Sequence, residues 1–186
     1  ISADPQGFDP HITSAHSSFE ILENVYDTLV TVDDDLNMVP SLAESWEVSE
    51  DNLTWIFHLR EGVTFHNGRA LTADDVVYSY ERIMDEETGS GVSWRFGSVE
   101  SVEAVADLTV AINLTEASPN LLGRIGAYKG MSIIPQEIVE DGTVDTFPLG
   151  TGPFKFVEFI PGDHVTLEAN PDYWAEGKPY LDGVSF

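Results

Sequence analysis

Cysteine is absent from the 186 residues, and cations are scarce, with 8 lysines and arginines against 33 aspartates and glutamates. The absence of cysteine excludes disulfides, thiolate metal ligands and cysteine nucleophiles. The scarcity of cations excludes nucleic acid as a partner, because a formal net charge of -25 repels the phosphate backbone. Long hydrophobic runs are also missing, since none approaches the roughly 18 apolar residues of a membrane-spanning helix.

The acidic composition does not prevent folding. Hydrophobic residues make up 42% of the chain and aromatic residues 11%, which is enough to bury a core, and we expect a monomer. Only three lysines are present, and so acidic a surface repels itself unless salt screens it. We interpret the composition as salt adaptation in a halophile, such as a halophilic archaeon. A merely acidic mesophilic protein is the alternative.

Helical spacing of apolar residues predicts a first helix over residues 17 to 30, with Ser17 and Glu20 as a capping box. The acidic residues 33 to 35 should end this helix, and Pro40 should open a short helical turn. The beginning of the chain is therefore predicted to be mainly helical.

Alternating apolar and polar residues predict a strand over residues 53 to 59, paired as a hairpin with residues 63 to 65. Thr72 and Asp75 form a second N-cap pattern, and the helix behind them should end near Met84. Further hairpins are predicted around residues 106 to 108 and 161 to 163, with a short helix over 118 to 123. The predicted fold class is mixed α/β (α+β), with antiparallel hairpins and helices.

Motifs for catalysis or cofactor binding are missing. The sequence has no G-x-S-x-G elbow and no S-x-x-K pair, and Gly150-Thr151-Gly152 lacks the third glycine of a dinucleotide-binding loop. The five histidines do not have the H-E-x-x-H spacing of zinc sites. We therefore predict no catalytic residues, no cofactor and no metal.

One segment imitates a calcium-binding loop. Asp33, Asp35 and Asn37 alternate, and Glu44 stands at the twelfth position of the pattern. Met38 occupies the position at which such a loop needs glycine. We therefore interpret the segment as an ordinary connection.

A long run of the chain resembles a known protein family. The segments that carry the resemblance come in the family's order: SLAESWEVS, FHLREGVTFHNG, LTADDVVYS, PLGTGPFKFVEF and NPDYW. They are similar to the family 5 extracellular solute-binding proteins of ABC importers, the peptide and nickel class. The resemblance implies lobe I of a type II periplasmic-binding-protein-like fold. Residues 1–41 and 147–186 would form its larger subdomain and residues 42–146 a small inserted one, with the second lobe absent from this chain.

The resemblance also implies a function. The protein would capture oligopeptides or dipeptides at the cell surface, lipid-anchored, or in the periplasm, and deliver them to an ABC permease in the membrane. Within the family, a nickel or metal-chelate binder and an oligosaccharide binder are alternatives. From other classes, a calcium-stabilised adhesion domain or a hydrolase fragment is the alternative.

Two segments are predicted by the resemblance to contact ligand. The first comprises Ser14, Ala15, His16 and Ser17, whose backbone could pair with an extended peptide, although Ser17 could instead only cap the helix. The second carries Trp94 and Phe96, and Trp94 is either a wall of the cleft or an anchor for its loop. The remaining conspicuous residues are predicted to be structural, with Trp55, Phe57 and Phe65 in the core and Gly150 and Gly152 at a tight strand entry.

Overall fold

A computed structural model describes residues 3–186, so the first two residues of the predicted segment 1–41 lie outside the described residues. The helices are α1 (His16–Val25), α2 (Ala73–Met84) and α3 (Gln136–Glu140), with 3-10 helices at Glu86–Thr88 and Ser93–Phe96 and a π-helix at Leu122–Gly126. The strands are β1 (Val30–Val32), β2 (Met38–Pro40), β3 (Ala43–Val48), β4 (Thr54–Leu59), β5 (Val99–Ala106), β6 (Thr109–Leu114), β7 (Phe154–Ile160), β8 (His164–Ala169) and β9 (Gly183–Ser185). None of the helices in this part of the chain combines the length and apolar character of a membrane span.

The strands form three antiparallel sheets. The largest has the order β3-β4-β6-β5, and the others pair β1 with β2 and arrange β7, β8 and β9 in sequence order. Burial alternates along β4, where Trp55, Phe57 and Leu59 point into the core. The predicted mixed α/β architecture with antiparallel strands is confirmed, as are the hairpins β5–β6 and β7–β8.

The buried side chains form two clusters. One cluster joins α2 to the four-stranded sheet and includes Phe57, Phe65 and Tyr80. The other joins α1 to β7 and β8 and includes Ile21 and Phe156, so the beginning and the end of the chain share a core. The predicted core positions Trp55, Phe57 and Phe65 are confirmed, because none is more than 8% exposed.

Several predicted elements near the beginning of the chain are wrong. Helix α1 ends at Val25, because Tyr26 has an extended backbone. Val30 instead begins strand β1 and is buried there, so its apolar side chain does not belong to the helix. Ser17 does not cap the helix, because Ala15 is the N-cap and the Ser17 hydroxyl donates to the Asp4 carbonyl at 3.0 Å.

Strand pairing differs from the prediction in the next segment. The acidic residues 33 to 35 form the turn between β1 and β2, and the predicted helical turn after Pro40 is strand β3. Strand β4 pairs with β3 and β6 instead of residues 63 to 65, which contribute only a single bridge from Thr64 to Ala70. Long-range pairing in the sheet therefore overrode the local hairpin.

The second helix begins as predicted. The Thr72 N–H donates to Asp75 Oδ2 at 2.9 Å, and the box is reinforced by Arg69, whose Nη2 lies 2.6 Å from Asp75 Oδ1. Arg69 Nε also lies 2.8 Å from Glu137 Oε1 and so connects this helix start to α3. A short helix was predicted over residues 118 to 123, but the structure has the π-helix Leu122–Gly126 instead.

Gly150 and Gly152 allow the chain to pass close to the end of α1. A Cβ on Gly152 would lie 2.6 Å from the Val25 carbonyl carbon and 2.7 Å from the Asn24 carbonyl oxygen. Both contacts are to backbone, so no side-chain movement could relieve them. The prediction of a tight strand entry is confirmed.

His66 holds this entry in place as a neutral imidazole. Its Nε2–H donates to the Gly152 carbonyl at 2.9 Å, and its Nδ1 accepts from the Gly150 N–H at 3.4 Å. A proton on Nδ1 would remove the second bond. Burial, together with the nearby Lys155, lowers the pKa of His66 from 6.5 to about 4.

We expect His66 to destabilise the fold progressively as the pH falls from about 6.5 to about 4. In this window the unfolded chain binds a proton at His66 and the folded chain does not, which costs up to about 3 kcal/mol of unfolding free energy. Urea unfolding of the wild type and of His66→Gln, compared at several pH values in constant salt, measures the effect. The wild type should lose stability relative to the variant as the pH falls, and a constant difference would contradict the neutral imidazole.

Candidate binding site

A pocket of about 320 Å³ lies where three loops meet at the surface. Residues 10–14 and the start of α1 form one side, Gly91 and Val92 form the second, and residues 128–130 form the third. We call this cavity the loop pocket. Ser14 and His16 of the first predicted ligand-contacting segment line it, whereas Trp94 and Phe96 of the second do not, although Gly91 and Val92 lie directly before the 3-10 helix that carries them.

The first side of the loop pocket is fixed by a buried ion pair. Asp9 Oδ2 lies 2.6 Å from Arg82 Nη2, and Asp9 Oδ1 accepts from Arg82 Nη1 at 3.0 Å. Arg82 Nη1 also donates to His11 Nδ1 at 2.9 Å, and His11 Nε2–H donates to the Ser132 carbonyl at 2.9 Å. Burial holds the pKa of His11 well below its usual range, so its ring is neutral and can accept from Arg82. This network attaches the segment before Ser14 to α2.

The four predicted residues of the first segment have different environments. Ser14 and His16 are exposed and line the loop pocket. Ala15 is half-buried at the N-cap of α1, and Ser17 is buried with its hydroxyl directed to Asp4. Ser14 and His16 are therefore the two side chains of this segment that a ligand in the pocket could reach.

The two predicted residues of the second segment also have different environments. Trp94 is 65% exposed, so its ring does not pack into the core as a loop anchor would. Phe96 is 3% exposed and lies edge-on to Tyr80, with 5.2 Å between ring centroids. The ring of Phe96 is core, which leaves no free face for a ligand and assigns it a structural role instead of the predicted contact.

Sequence reasoning missed the third side of the loop pocket. Tyr128 and Lys129 follow the π-helix Leu122–Gly126, and Lys129 forms an ion pair with Glu23 of α1. The guanidinium of Arg95 lies 3.5 Å from the centroid of the Tyr128 ring. A π-helix is frequent at functional sites but has no periodic pattern that a sequence could reveal.

A second pocket of about 430 Å³ continues the same surface along α1. It shares Phe19 and Lys129 with the loop pocket and extends to Asp27 and Ser41. The two pockets are therefore adjoining parts of one recessed surface.

Asp27 lies at the far end of this surface and holds three parts of the chain together. Its Oδ2 accepts from Thr151 Oγ1 and Trp174 Nε1, each at 3.0 Å, and its Oδ1 accepts from the Tyr173 hydroxyl at 3.3 Å. Burial raises the pKa of this carboxyl although the three bonds oppose the shift. Its oxygens are occupied by these donors, so we interpret Asp27 as structural.

Cation-binding groups do not converge within residues 3–186, where no cluster of three or more histidines, aspartates or glutamates could hold a metal. In the loop that imitates a calcium site, Asp33 Oδ1 accepts from the N–H groups of Asp35 and Asn37 at 3.0 and 2.8 Å. These bonds lower the pKa of Asp33 and use its carboxylate to close the turn between β1 and β2. What the loop pocket offers is backbone and side-chain hydrogen-bonding groups beside exposed aromatic rings, a combination suited to binding.

Comparison with known proteins gives a consistent result. Residues 37–186 match the family model for bacterial extracellular solute-binding proteins, family 5 middle. The oligopeptide-binding protein AppA of Bacillus subtilis is 33% identical over 98% of this chain and 35% of its own length. The di/tripeptide-binding protein 4 of Pseudomonas aeruginosa is 34% identical over 99% of this chain and 39% of its own length.

Solved structures agree with the sequence matches. MoaA of A. tumefaciens R10 in complex with mannopinic acid superposes with a TM-score of 0.92 at 35% identity, over 99% of this chain and 38% of that one. AppA of Bacillus subtilis in complex with a nonapeptide superposes with a TM-score of 0.89 at 31% identity, over 98% of this chain and 38% of that one. The chain thus spans between a third and two fifths of the length of these proteins.

Proposed function

The chain belongs to family 5 of the bacterial extracellular solute-binding proteins, and on that premise we propose that it is part of a protein that captures peptides for an ABC importer. The relatives named for oligopeptides and for di- and tripeptides support peptides as the solute. The captured peptide would pass to a permease in the membrane, and the binding protein would act outside the cytoplasm as a monomer.

One observation carries the proposal for peptides. Ser14 lies in an irregular segment at the loop pocket, and its backbone N–H donates to no group within residues 3–186. The neighbouring N–H groups of Thr13 and Ala15 are both occupied, by the Asp9 carbonyl at 3.0 Å and by Thr13 Oγ1 at 3.3 Å. An extended peptide could supply the missing acceptor, as in strand addition to a free backbone edge.

We further propose that the recessed surface is one wall of a two-walled cleft. Residues 1–41 and 147–186 would form the larger subdomain of this wall, and residues 42–146 the smaller one. The two clusters of buried side chains support the division only in part. Ile134, Ile138 and Val144 pack with the larger subdomain, and Leu29 and Val30 pack with the smaller one. The second wall would come from sequence beyond these residues, which agrees with the share of the relatives' length that the chain spans.

A small organic acid is the second candidate solute. MoaA, whose structure contains mannopinic acid, has a TM-score of 0.92 against this chain. The guanidinium of Arg95 lies 3.5 Å from the centroid of the Tyr128 ring, which lines the loop pocket, and an arginine suits an acid as well as a peptide.

The peptide proposal predicts a binding role for Trp94. We expect Trp94→Ala to weaken peptide binding by the complete gene product roughly 10- to 100-fold, the range for losing a large aromatic contact. Isothermal titration with a short peptide mixture, after confirming an unchanged melting temperature, measures the loss. Tyr180→Ala is the matched control, because Tyr180 is an exposed aromatic residue, at 86%, and belongs to neither predicted ligand-contacting segment. Equal affinities for the two variants would show that Trp94 is no wall of the cleft.

A further inference from the structure

We propose that His11 is a positioning residue for the loop pocket, and that its ring sets the distance between the first and the third side. The inference rests on the proposed function, because it concerns the site at which the peptide would bind. It goes beyond that function by assigning a role to a residue whose two ring nitrogens are both occupied within the fold. The observations that carry it are the two hydrogen bonds of this buried ring and the small number of other connections to the third side.

The His11 ring lies between helix α2 and the third side, and the residue is only 2% exposed. Its Nδ1 accepts from Arg82 Nη1 at 2.9 Å, and its Nε2–H donates to the Ser132 carbonyl at 2.9 Å. A guanidinium has no acceptor, so Arg82 keeps Nδ1 unprotonated and leaves the ring proton on Nε2. Arg82 therefore selects the tautomer that holds Ser132.

The backbone of His11 belongs to a tight turn that leads to Ser14. The His11 N–H donates to Asp9 Oδ1 at 3.0 Å, and the Asp9 carbonyl accepts from the Thr13 N–H at 3.0 Å. The Asp9 carboxylate is itself paired with α2 in the buried ion pair. Since the turn is fixed to α2, the ring of His11 holds the third side at a set distance from Ser14.

The third side has few other connections. Besides the ion pair of Lys129 with Glu23, residues 128–132 form one hydrogen bond to another segment in the described part of the chain, and that bond is the one to His11. The two side chains of the ion pair are 42% and 48% exposed, and pairs so exposed stabilise little. The bond from His11 is therefore the main polar connection that places this stretch.

The three sides of the loop pocket meet at Gly130. Its φ is +84°, and a Cβ there would lie 3.2 Å from the Pro10 carbonyl oxygen and 3.6 Å from Val92 Cγ2. Pro10 belongs to the first side and Val92 to the second. A shift of residues 128–132 would therefore change the contacts of all three sides, because closely packed groups cannot move independently.

A peptide in the loop pocket has to meet two of these sides at once. It would accept from the free Ser14 N–H on the first side and contact the Tyr128 ring on the third. The apparent affinity falls in proportion to the fraction of the protein in which both groups are in place. His11 thus acts on affinity through the positions of Ser14 and Tyr128.

The test compares two amides at position 11 of the complete gene product, which differ in reach. Glutamine brings its Nε2 donor to about the position of the histidine Nε2, whereas asparagine is one methylene shorter and does not reach Ser132. We expect His11→Asn to weaken the binding of trialanine about tenfold in isothermal titrations, as for a competent arrangement populated about one tenth of the time. His11→Gln should bind within about threefold of the wild type, since it keeps the bond.

His66→Asn is the matched control. The His66 Nε2–H also donates to a backbone carbonyl, that of Gly152, at 2.9 Å, and His66 lines neither pocket of the recessed surface. This variant should lower the melting temperature as His11→Asn does, but it should leave the affinity for trialanine unchanged. Hydrogen exchange followed by mass spectrometry without solute should be faster over residues 127–132 in His11→Asn, and unchanged there in His11→Gln and His66→Asn.

Equal affinities of the wild type and His11→Asn would overturn the inference and leave the peptide function standing. An equal loss in His66→Asn would assign the effect to general destabilisation, and a tenfold loss in folded His11→Gln would show that the bond to Ser132 is not its cause, so either result also overturns the inference. His11→Gln decides in the same way where His11→Asn does not fold, because wild-type affinity with slow exchange over residues 127–132 upholds the inference. If trialanine does not bind the wild type, the peptide function is wrong, and faster exchange over residues 127–132 in His11→Asn alone still upholds the positioning role while unchanged exchange overturns it.

Discussion

Asp9→Ala is expected to lower the free energy of unfolding by about 3 to 5 kcal/mol, the cost of leaving a buried charge without its partner. The side chains of Asp9 and Arg82 are only 5% and 11% exposed, and two hydrogen bonds of 3.0 and 2.6 Å join them. Without Asp9, the guanidinium would remain buried with the neutral His11 ring as its nearest side-chain partner. Urea unfolding at constant salt, in which surface charges are screened equally, measures the loss.

Two further variants separate the buried pair from a general effect of charge. Glu81→Ala removes an exposed acid from the same helix and should change stability by no more than about 0.5 kcal/mol. A double variant, Asp9→Leu with Arg82→Met, removes both charges and should recover much of the stability lost by Asp9→Ala. A loss for Asp9→Ala as small as that for Glu81→Ala would mean that water compensates Arg82 in the folded protein.

The elements predicted correctly from the sequence are those with a local cause. The Thr72 and Asp75 side chains specify the start of α2 within one turn, and tight connections specify the hairpins β5–β6 and β7–β8. Strand β4 was recognised by its alternation, but its partners were not. Its neighbour β6 lies about fifty residues further along the chain, and no local pattern encodes that pairing.

The incorrect predictions occur where buried residues outside a helix happen to continue its helical spacing. Leu29 and Val30 extend the helical spacing of α1, yet they are buried in the cluster around the four-stranded sheet. The extended backbone from Tyr26 onward lets the Asp27 carbonyl accept from the Ile133 N–H at 3.0 Å. This long-range hydrogen bond stabilises the extended backbone and outweighs the local preference of these residues for a helix.

The site was predictable only in part, and for a similar reason. The resemblance identified the Ser14 to His16 segment, of which Ser14 and His16 line the loop pocket, and Trp94, which lies two residues beyond the lining residue Val92. Tyr128 was missed because it follows the irregular π-helix, whose position depends on packing. The Cβ of any larger residue at Gly126 would lie 2.5 Å from Val30 Cγ2, so this segment is placed by β1.

A single wall cannot enclose a ligand. The loop pocket is open to solvent, and its exposed groups, including Ser14 and His16, lie on one surface. Small-molecule sites usually bury most of the ligand surface, and burial excludes the water that competes for each hydrogen bond. Affinity in the proposed cleft would therefore depend on the second wall as much as on this one.

The 186-residue chain alone is accordingly expected to bind trialanine several decades more weakly than the complete gene product, because each 1.4 kcal/mol of lost contact is tenfold in affinity. Titration calorimetry should show no measurable heat for the shorter chain under conditions that saturate the longer one. Amide shifts in an NMR titration should still locate weak contacts at Ser14 and at the Trp94 indole, and dispersed spectra would establish that the shorter chain is folded. Equal affinities for the two chains would contradict a cleft with two walls and would place the whole site on the surface described here.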